Sequence, residues 1–401
     1  MKKLSYRATV YASYAAYVVQ AAVNNIPPIL FLILSRNYGL SLSEIAFLMS
    51  FNFLVQICVD VFGARYADRI GYRTCVIWAH VTAFLGLAGF GILPRILPSC
   101  FVGCLIPLFF YACGGGLIEV IISPIMESLP SESKAGAMSM LHSFYCWGQM
   151  FVVLASTGIL VLFGTEYWYF VPILWSILPL VNAFVYARVP ICTLAEEHER
   201  APLGKLLRMR VYRLLLLLMF CGGACELAMS QWASIFAELG LHVTKTVGDL
   251  LGPMLFAFFQ ALGRVYYGRN AERLPLRKSL FISGIFCVFC YLVCVFAPWP
   301  LLSLCGCALC GLSVALFWPG TLSLAAQRVP TGNISSFALL ALAGDCGCTA
   351  VPALVGLISD SYEGTFLAYS GDAAGLHLGL LAAAFFPLLL VLCTHLLKEK
   401  K

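Results

Sequence analysis

"ARYADRIGYR" (residues 64–73) and "GRNAERLPLR" (residues 268–277) decide how this chain is read. At a single offset of 204 residues they pair Ala64 with Gly268, Ala67 with Ala271, Asp68 with Glu272, Arg69 with Arg273 and Arg73 with Arg277. Agreement of small, small, acid, Arg and Arg at one spacing is improbable by chance, so the chain reads as two halves of like construction. A long apolar run flanks each copy on both sides, which places the copies in loops between helices.

The rest of the composition says what kind of helices these are. Of 401 residues 61% are hydrophobic and only 11% charged, with a mean hydropathy of +0.91, against about 25% charged residues in soluble domains. Many apolar stretches reach the roughly 20 residues that a helix needs to cross about 30 Å of hydrocarbon, and the short alternating segments of a membrane β-barrel are absent. The expected fold is an all-α membrane protein with spans at 9–36, 43–64, 73–94, 99–127, 136–163, 167–189, 211–238, 246–268, 278–297, 300–327, 334–359 and 373–396. The basic start "MKKLSYR" lacks a short apolar core with a small-residue cleavage site, so it belongs to the first span and not to a signal peptide. With both termini cytoplasmic, 22 of the 25 Lys and Arg fall on the inner side and only Arg36, Arg95 and Lys245 outside. That asymmetry is the positive-inside pattern, so the +6 net charge reports topology in a lipid bilayer, expected to be the plasma membrane, and not affinity for nucleic acid. The most polar segment, residues 190–210, is expected to link a bundle of residues 1–189 to one of 211–401.

Residues 64–73 resemble the signature G-x-L-a-D-r-x-G-r-k that members of the major facilitator superfamily carry between helices two and three. Ala67, Asp68, Arg69, Gly71 and Arg73 match it, while Ala64 and Tyr66 replace the usual Gly and Leu. The resemblance implies two pseudo-symmetric six-helix bundles that rock about a central site, with Asp68, Arg69, Gly71, Arg73, Glu272, Arg273 and Arg277 latching a conformation without touching substrate. "IEVIISP" is further similar to the L-E-T-x-x-N-P stretch of the fucose:proton symporter group, with Glu119 on the acid and Pro124 on the proline. "AAVNNIPPIL" is similar to that group's A-N-N-x-N-D stretch through Asn24 and Asn25, but Pro27 and Pro28 stand where the group has an aspartate linked to proton coupling.

Within the spans, an acid costs roughly 2.5–3.5 kcal/mol on insertion scales and therefore marks function by default. Glu119 shares a helix face with Tyr111, Gly115 and Ser123 at four-residue spacing. His142, Tyr145, Cys146 and Gln149 form a second stripe at i, i+3, i+4 and i+7. Glu226, with Gln231 nearby, and Asp345 complete the candidate set for substrate binding or ion coupling. The inner parts of the spans hold Glu119, Glu226 and Asp345 with Arg264 placed towards a helix end, so the acids are expected without basic partners. Such a site disfavours anions and suits a neutral or cationic solute, with proton or sodium coupling open. Pro28, Pro124, Pro172, Pro253, Pro319 and Pro352 are expected to interrupt helices at mid-depth, as where a helix lines a cavity.

The 18 cysteines lie in apolar runs without zinc-finger spacing, so neither a metal nor a cofactor is expected. No H-E-x-x-H, G-x-S-x-G or phosphate-loop pattern occurs, which argues against an enzyme or an ATP-driven pump. The function expected is a monomeric secondary transporter of a small polar, sugar-like solute; an exporter of amphipathic cations, a membrane enzyme and a non-transporting sensor are the alternatives.

Overall fold

In the computed structural model residues 5–40, 42–192, 203–237, 250–329, 334–362, 364–367 and 369–397 are described. The first half contains α1 (Tyr6–Tyr38), α2 (Leu42–Phe62), α3 (Tyr72–Ile96), α4 (Cys100–Ser128), α5 (Lys134–Phe163) and α6 (Phe170–Tyr186). The second contains α7 (Arg210–Ile235), α8 (Leu255–Asn270), α9 (Leu276–Phe296), α10 (Pro300–Val314), α11 (Phe317–Arg328), α12 (Ile334–Ser361), α13 (Asp372–Ala383) and α14 (Phe385–Leu396). Among the described residues eight helical stretches are long and apolar enough to cross a membrane, with α10 and α11 counted as the one stretch Pro300–Arg328 and α13 and α14 as Ala373–Leu396. Together with α1, α2, α6 and α8 they make the expected twelve spans. The start of the eighth expected span, residues 246–249, and part of the linker, residues 193–202, lie outside the described residues.

The prolines behave differently from the expectation in part. Pro124 and Pro352 do sit inside the continuous helices α4 and α12. Pro172 and Pro319, however, each occupy the third residue of their helix, α6 and α11, where the N–H that proline lacks has no intrahelical partner anyway. Pro172 thus starts a helix, whereas Pro319 follows the break at Ala315–Leu316 that divides the one stretch Pro300–Arg328 into α10 and α11, as expected. Pro253 falls in a π-helical turn, Leu250–Met254, that leads into α8.

Each half ends its second span differently. After α2 a π turn, Gly63–Ala67, and a short turn, Asp68–Ile70, lead to Gly71. Gly71 has φ 90° and ψ 152°, a region essentially closed to residues with a Cβ, which explains a glycine at that point of the motif. The arginine two residues on then does the same work in both halves. Arg73 donates from Nη1 to the carbonyl of Tyr186 at 2.7 Å and from Nη2 to that of Val189 at 2.9 Å. Arg277 donates from Nε to the carbonyl of Thr394 at 3.0 Å and from Nη2 to that of His395 at 2.9 Å. Both guanidinium groups thus satisfy orphan carbonyls at the C-terminal end of the last helix of their half, where a cation also complements the helix dipole.

By backbone proximity the chain forms two compact units. Unit 1 comprises residues 1–131, 144–200 and 331–339; unit 2 comprises residues 132–143, 201–330 and 340–401. Between lipid-like surfaces burial of apolar area gives little drive, so helices associate by close contact of small residues. In unit 1, Gly86 on α3 lies against the backbone of Tyr111 on α4 so closely that a Cβ would overlap it.

Candidate functional site

In unit 1 the polar groups line one face of α1. Thr9, Ser13, Tyr17, Gln20 and Asn24 recur at intervals of four, four, three and four residues, the period of one helix face. Each finds a partner on another segment. Thr9 Oγ1 donates to the carbonyl of Pro190 at 2.7 Å, Ser13 Oγ lies 3.0 Å from Tyr186 Oη, and Tyr17 Oη lies 3.0 Å from Ser123 Oγ. Gln20 Nε2 donates to Glu119 Oε2 at 2.7 Å. Above it Gln56 Nε2 on α2 donates to Asn24 Oδ1 at 3.1 Å, and Asn24 Nδ2 reaches Tyr145 Oη on α5 at 3.5 Å.

Glu119 is half-buried, and the amide of Gln20 beside it is only 4% exposed. A 2.7 Å contact is at the short end for N–H···O and suits a charge-assisted bond to a carboxylate. Gln20 Oε1 is buried without a hydrogen-bond partner, a deficit of about 1–3 kcal/mol. Asn25 turns its amide back to the carbonyl of Ala21 at 2.8 Å, so it braces α1, while Gln149 is half-buried on α5. Phe144 stacks on Tyr14 with ring centroids 4.1 Å apart and planes 6° from parallel, placing a flat aromatic surface two turns from Gln20 on α1. Asp68 accepts from both the backbone N–H of Ser335, at 3.2 Å, and its Oγ, at 2.7 Å, next to the N-terminal residue of α12. Arg69 is exposed.

Unit 2 corrects the expectation of acids without bases. Arg264 lies six residues before the end of α8 and is 2% exposed. Its Nη2 sits 3.5 Å from Glu226 Oε2 on α7, Nε donates to the carbonyl of Ala315 at 3.1 Å and Nη1 to that of His142 at 3.0 Å. The guanidinium is therefore a buried cation held by one carboxylate and two carbonyl oxygens. His142 belongs to this unit, is buried at 6% exposure, and offers Arg264 its main chain. The stripe expected on α5 crosses the unit boundary, with Tyr145, Cys146 and Gln149 assigned to unit 1. Ser139, one turn before, donates to the carbonyl of Arg264 at 2.7 Å. Asp345 on α12 is half-buried and Gln231 is exposed, while Trp232 beside it donates from Nε1 to the carbonyl of Pro352 at 3.0 Å. Glu272 and Arg273 are exposed. No group of three or more His, Cys, Asp or Glu able to hold a metal ion occurs among the described residues.

Sequence reasoning did not single out Gln20. The signal was there in the Thr9-to-Asn24 spacing, a polar face on an otherwise apolar helix. The depth of Arg264 was misjudged because the start of α8 could not be fixed from hydropathy.

The family model of the Major Facilitator Superfamily matches residues 13–352. The chain belongs to the major facilitator superfamily. Among solved structures similar to this facilitator, FucP in the outward conformation, described as a Major Facilitator Superfamily transporter, superposes with a TM-score of 0.81 at 15% identity, covering 98% of this chain and 99% of that one. A single-site variant of the E. coli Fucose:proton symporter, FucP, gives 0.78 at 17% identity, covering 99% and 100%. The proton:xylose symporter XylE bound to 6-bromo-6-deoxy-D-glucose gives 0.78 at 13%, covering 94% of each chain. At these identities the likeness carries the fold. No curated protein matches this facilitator in sequence. It is a multi-pass membrane transporter of the superfamily, similar in structure to sugar:proton symporters.

Proposed function

We propose that this transporter moves a small, neutral, polar solute of sugar-like character across the plasma membrane by alternating access, coupled to proton movement at Glu119. The observation that carries the reading is the 2.7 Å bond from Gln20 to Glu119 beside the neutral ring of Asn24, Gln56 and Tyr145. Amide and hydroxyl groups around one carboxylate offer a polyol alternating donors and acceptors, and the Tyr14–Phe144 stack supplies an apolar surface of the kind a sugar face lies on. Glu119, bonded to the amide of Gln20, is taken as the coupling residue, and Glu226, paired with the buried Arg264, as a structural one.

In this reading Asn24, Glu119, Tyr145 and Gln149 contact solute and Asn25 braces α1; Asp345, Gln231 and His142 are the candidates within the second unit. Asp68, Arg69, Gly71 and Arg73, with Glu272, Arg273 and Arg277, govern the conformational step. The termini are cytoplasmic, as the Lys and Arg distribution requires, and the protein works as a monomer. The same Tyr14–Phe144 stack favours one second reading, export of amphipathic cations.

The test is thermal stabilisation of the purified, detergent-solubilised protein by L-fucose, D-xylose, linear polyols and amphipathic cations, at acid and neutral pH, for wild type and Glu119→Gln. Stabilisation of wild type by a neutral sugar or polyol, lost in the variant, supports the proposal. Stabilisation by cations alone replaces it with the exporter reading.

A further inference from the structure

Unit 2 holds a seam of thiols that the transport site does not use. Cys287, Cys290 and Cys294 on α9 face Cys307 and Cys310 on α10, and all five are at most 1% exposed. Two contacts cross the seam: Cys287 Sγ lies 3.9 Å from Cys310 Sγ, and Cys294 Sγ lies 3.2 Å from Cys307 Sγ. The second is closer than two sulfur atoms rest in simple van der Waals contact, and it falls where the two backbones are near. A Cβ on Gly306, the residue before Cys307, would stand 2.9 Å from the backbone N of Cys294 and 3.0 Å from the carbonyl oxygen of Cys290. Close backbones and facing Cβ atoms are what a disulfide demands, because its Cα atoms must lie within about 7 Å.

Cys294 also lies near a helix end. Cys294 is two residues before the end of α9 at Phe296, and α10 begins at Pro300. With cytoplasmic termini, as proposed above, the α9–α10 turn faces the outer, oxidising side, where disulfides form and persist. Cys287 lies about two turns, and Cys310 about one turn, further from that end.

We propose that Cys294 and Cys307 are a modification site that closes to a disulfide, stapling the α9–α10 hairpin on its outer side. The reaction is thiol–disulfide exchange with an external disulfide, carried by an oxidoreductase or a small-molecule disulfide. As the hairpin emerges on the outer side and before the seam is covered, one cysteine loses its proton and attacks the external disulfide. A mixed disulfide forms and one external thiol leaves. The second cysteine, also deprotonated, attacks the protein sulfur of that mixed disulfide, the Cys294–Cys307 bond forms, and the second external thiol leaves. Two protein thiols are oxidised, one external disulfide is reduced to two thiols, and the two protons end on them.

The experiment uses full-length protein in membranes, blocked with N-ethylmaleimide, denatured, blocked again, digested without reductant and analysed by mass spectrometry. The expected result is a linked fragment joining Cys294 to Cys307, two hydrogens lighter than the paired thiols, together with alkylated Cys287 and Cys310. Reduction should lower the Tm of the purified protein by about 5 °C, and Cys294→Ser or Cys307→Ala should start at the lower value and no longer respond to reductant. Recovery of both Cys294 and Cys307 as alkylated thiols from unreduced protein would overturn the proposal, as would a linkage between Cys287 and Cys310 in its place. Because neither variant touches the polar site of unit 1, the outcome is independent of whether a sugar is transported.

Discussion

Arg264→Met removes the buried guanidinium and leaves the Glu226 carboxylate and the Ala315 and His142 carbonyls in place. The wild-type side chain spans 3.5 Å to Glu226, 3.1 Å to the Ala315 carbonyl and 3.0 Å to the His142 carbonyl. The side chains of the ion pair are 3% and 13% exposed, so solvent screens it little. Removing one partner of a buried pair costs about 3–5 kcal/mol, because the remaining charge is stranded. The 3.5 Å separation is long for a charge-assisted bond, which puts the cost near the lower figure, about 3 kcal/mol. For a cooperative unit of about 150–250 residues that corresponds to a fall in Tm of about 6–12 °C. The double variant Arg264→Met/Glu226→Gln removes the stranded charge and should recover most of the loss, since replacing a whole buried pair is often nearly neutral. Thermal unfolding in one detergent, with wild type and both single variants alongside, measures this. An Arg264→Met variant within about 2 °C of wild type, or a double variant no more stable than Arg264→Met, would refute the reasoning.

Three further outcomes follow from the same geometry. Arg73→Gln and Arg277→Gln each remove two bonds to C-terminal carbonyls, and each should cost about 1–2 kcal/mol by denaturant titration, the effects adding because the sites lie in different units. Gly86→Ala forces a methyl group into the backbone of Tyr111 and should destabilise by more than about 1 kcal/mol, visible as reduced yield of monodisperse protein in size-exclusion chromatography. Ser335→Ala takes the 2.7 Å hydroxyl bond from Asp68 but leaves the backbone N–H bond, so initial uptake rates should change less than in Asp68→Asn; equal loss in the two would show that the hydroxyl carries the contact.

Much of the fold was legible because hydropathy and length are the bilayer's own requirements. The ends of α2 to α5 fall within two residues of those expected, and the duplicated loop motif pairs Arg73 with Arg277, which make like bonds in the two units. What failed were matters of depth and of partner choice. Pro172 was expected to interrupt a helix and instead starts one, since periodicity does not say where a first turn begins. Arg264 was taken for an end residue, and so the acids were taken to lack a base; a π turn before α8 and the helix that continues to Asn270 place it inside. Gln20 was overlooked because a lone amide in a helix carries no motif, although Glu119, expected from the sequence, turns out to be its partner. His142, expected as a site side chain, offers its carbonyl to Arg264.

The most direct test of the proposed function is accumulation in proteoliposomes, with radiolabelled L-fucose, D-xylose and D-arabitol as probes, under an inward proton gradient. Wild type is expected to concentrate at least one probe above the equilibrium level, and Glu119→Gln to equilibrate the same probe without concentrating it. Undiminished accumulation in Glu119→Gln, or accumulation that ignores the proton gradient, would contradict the proposed function.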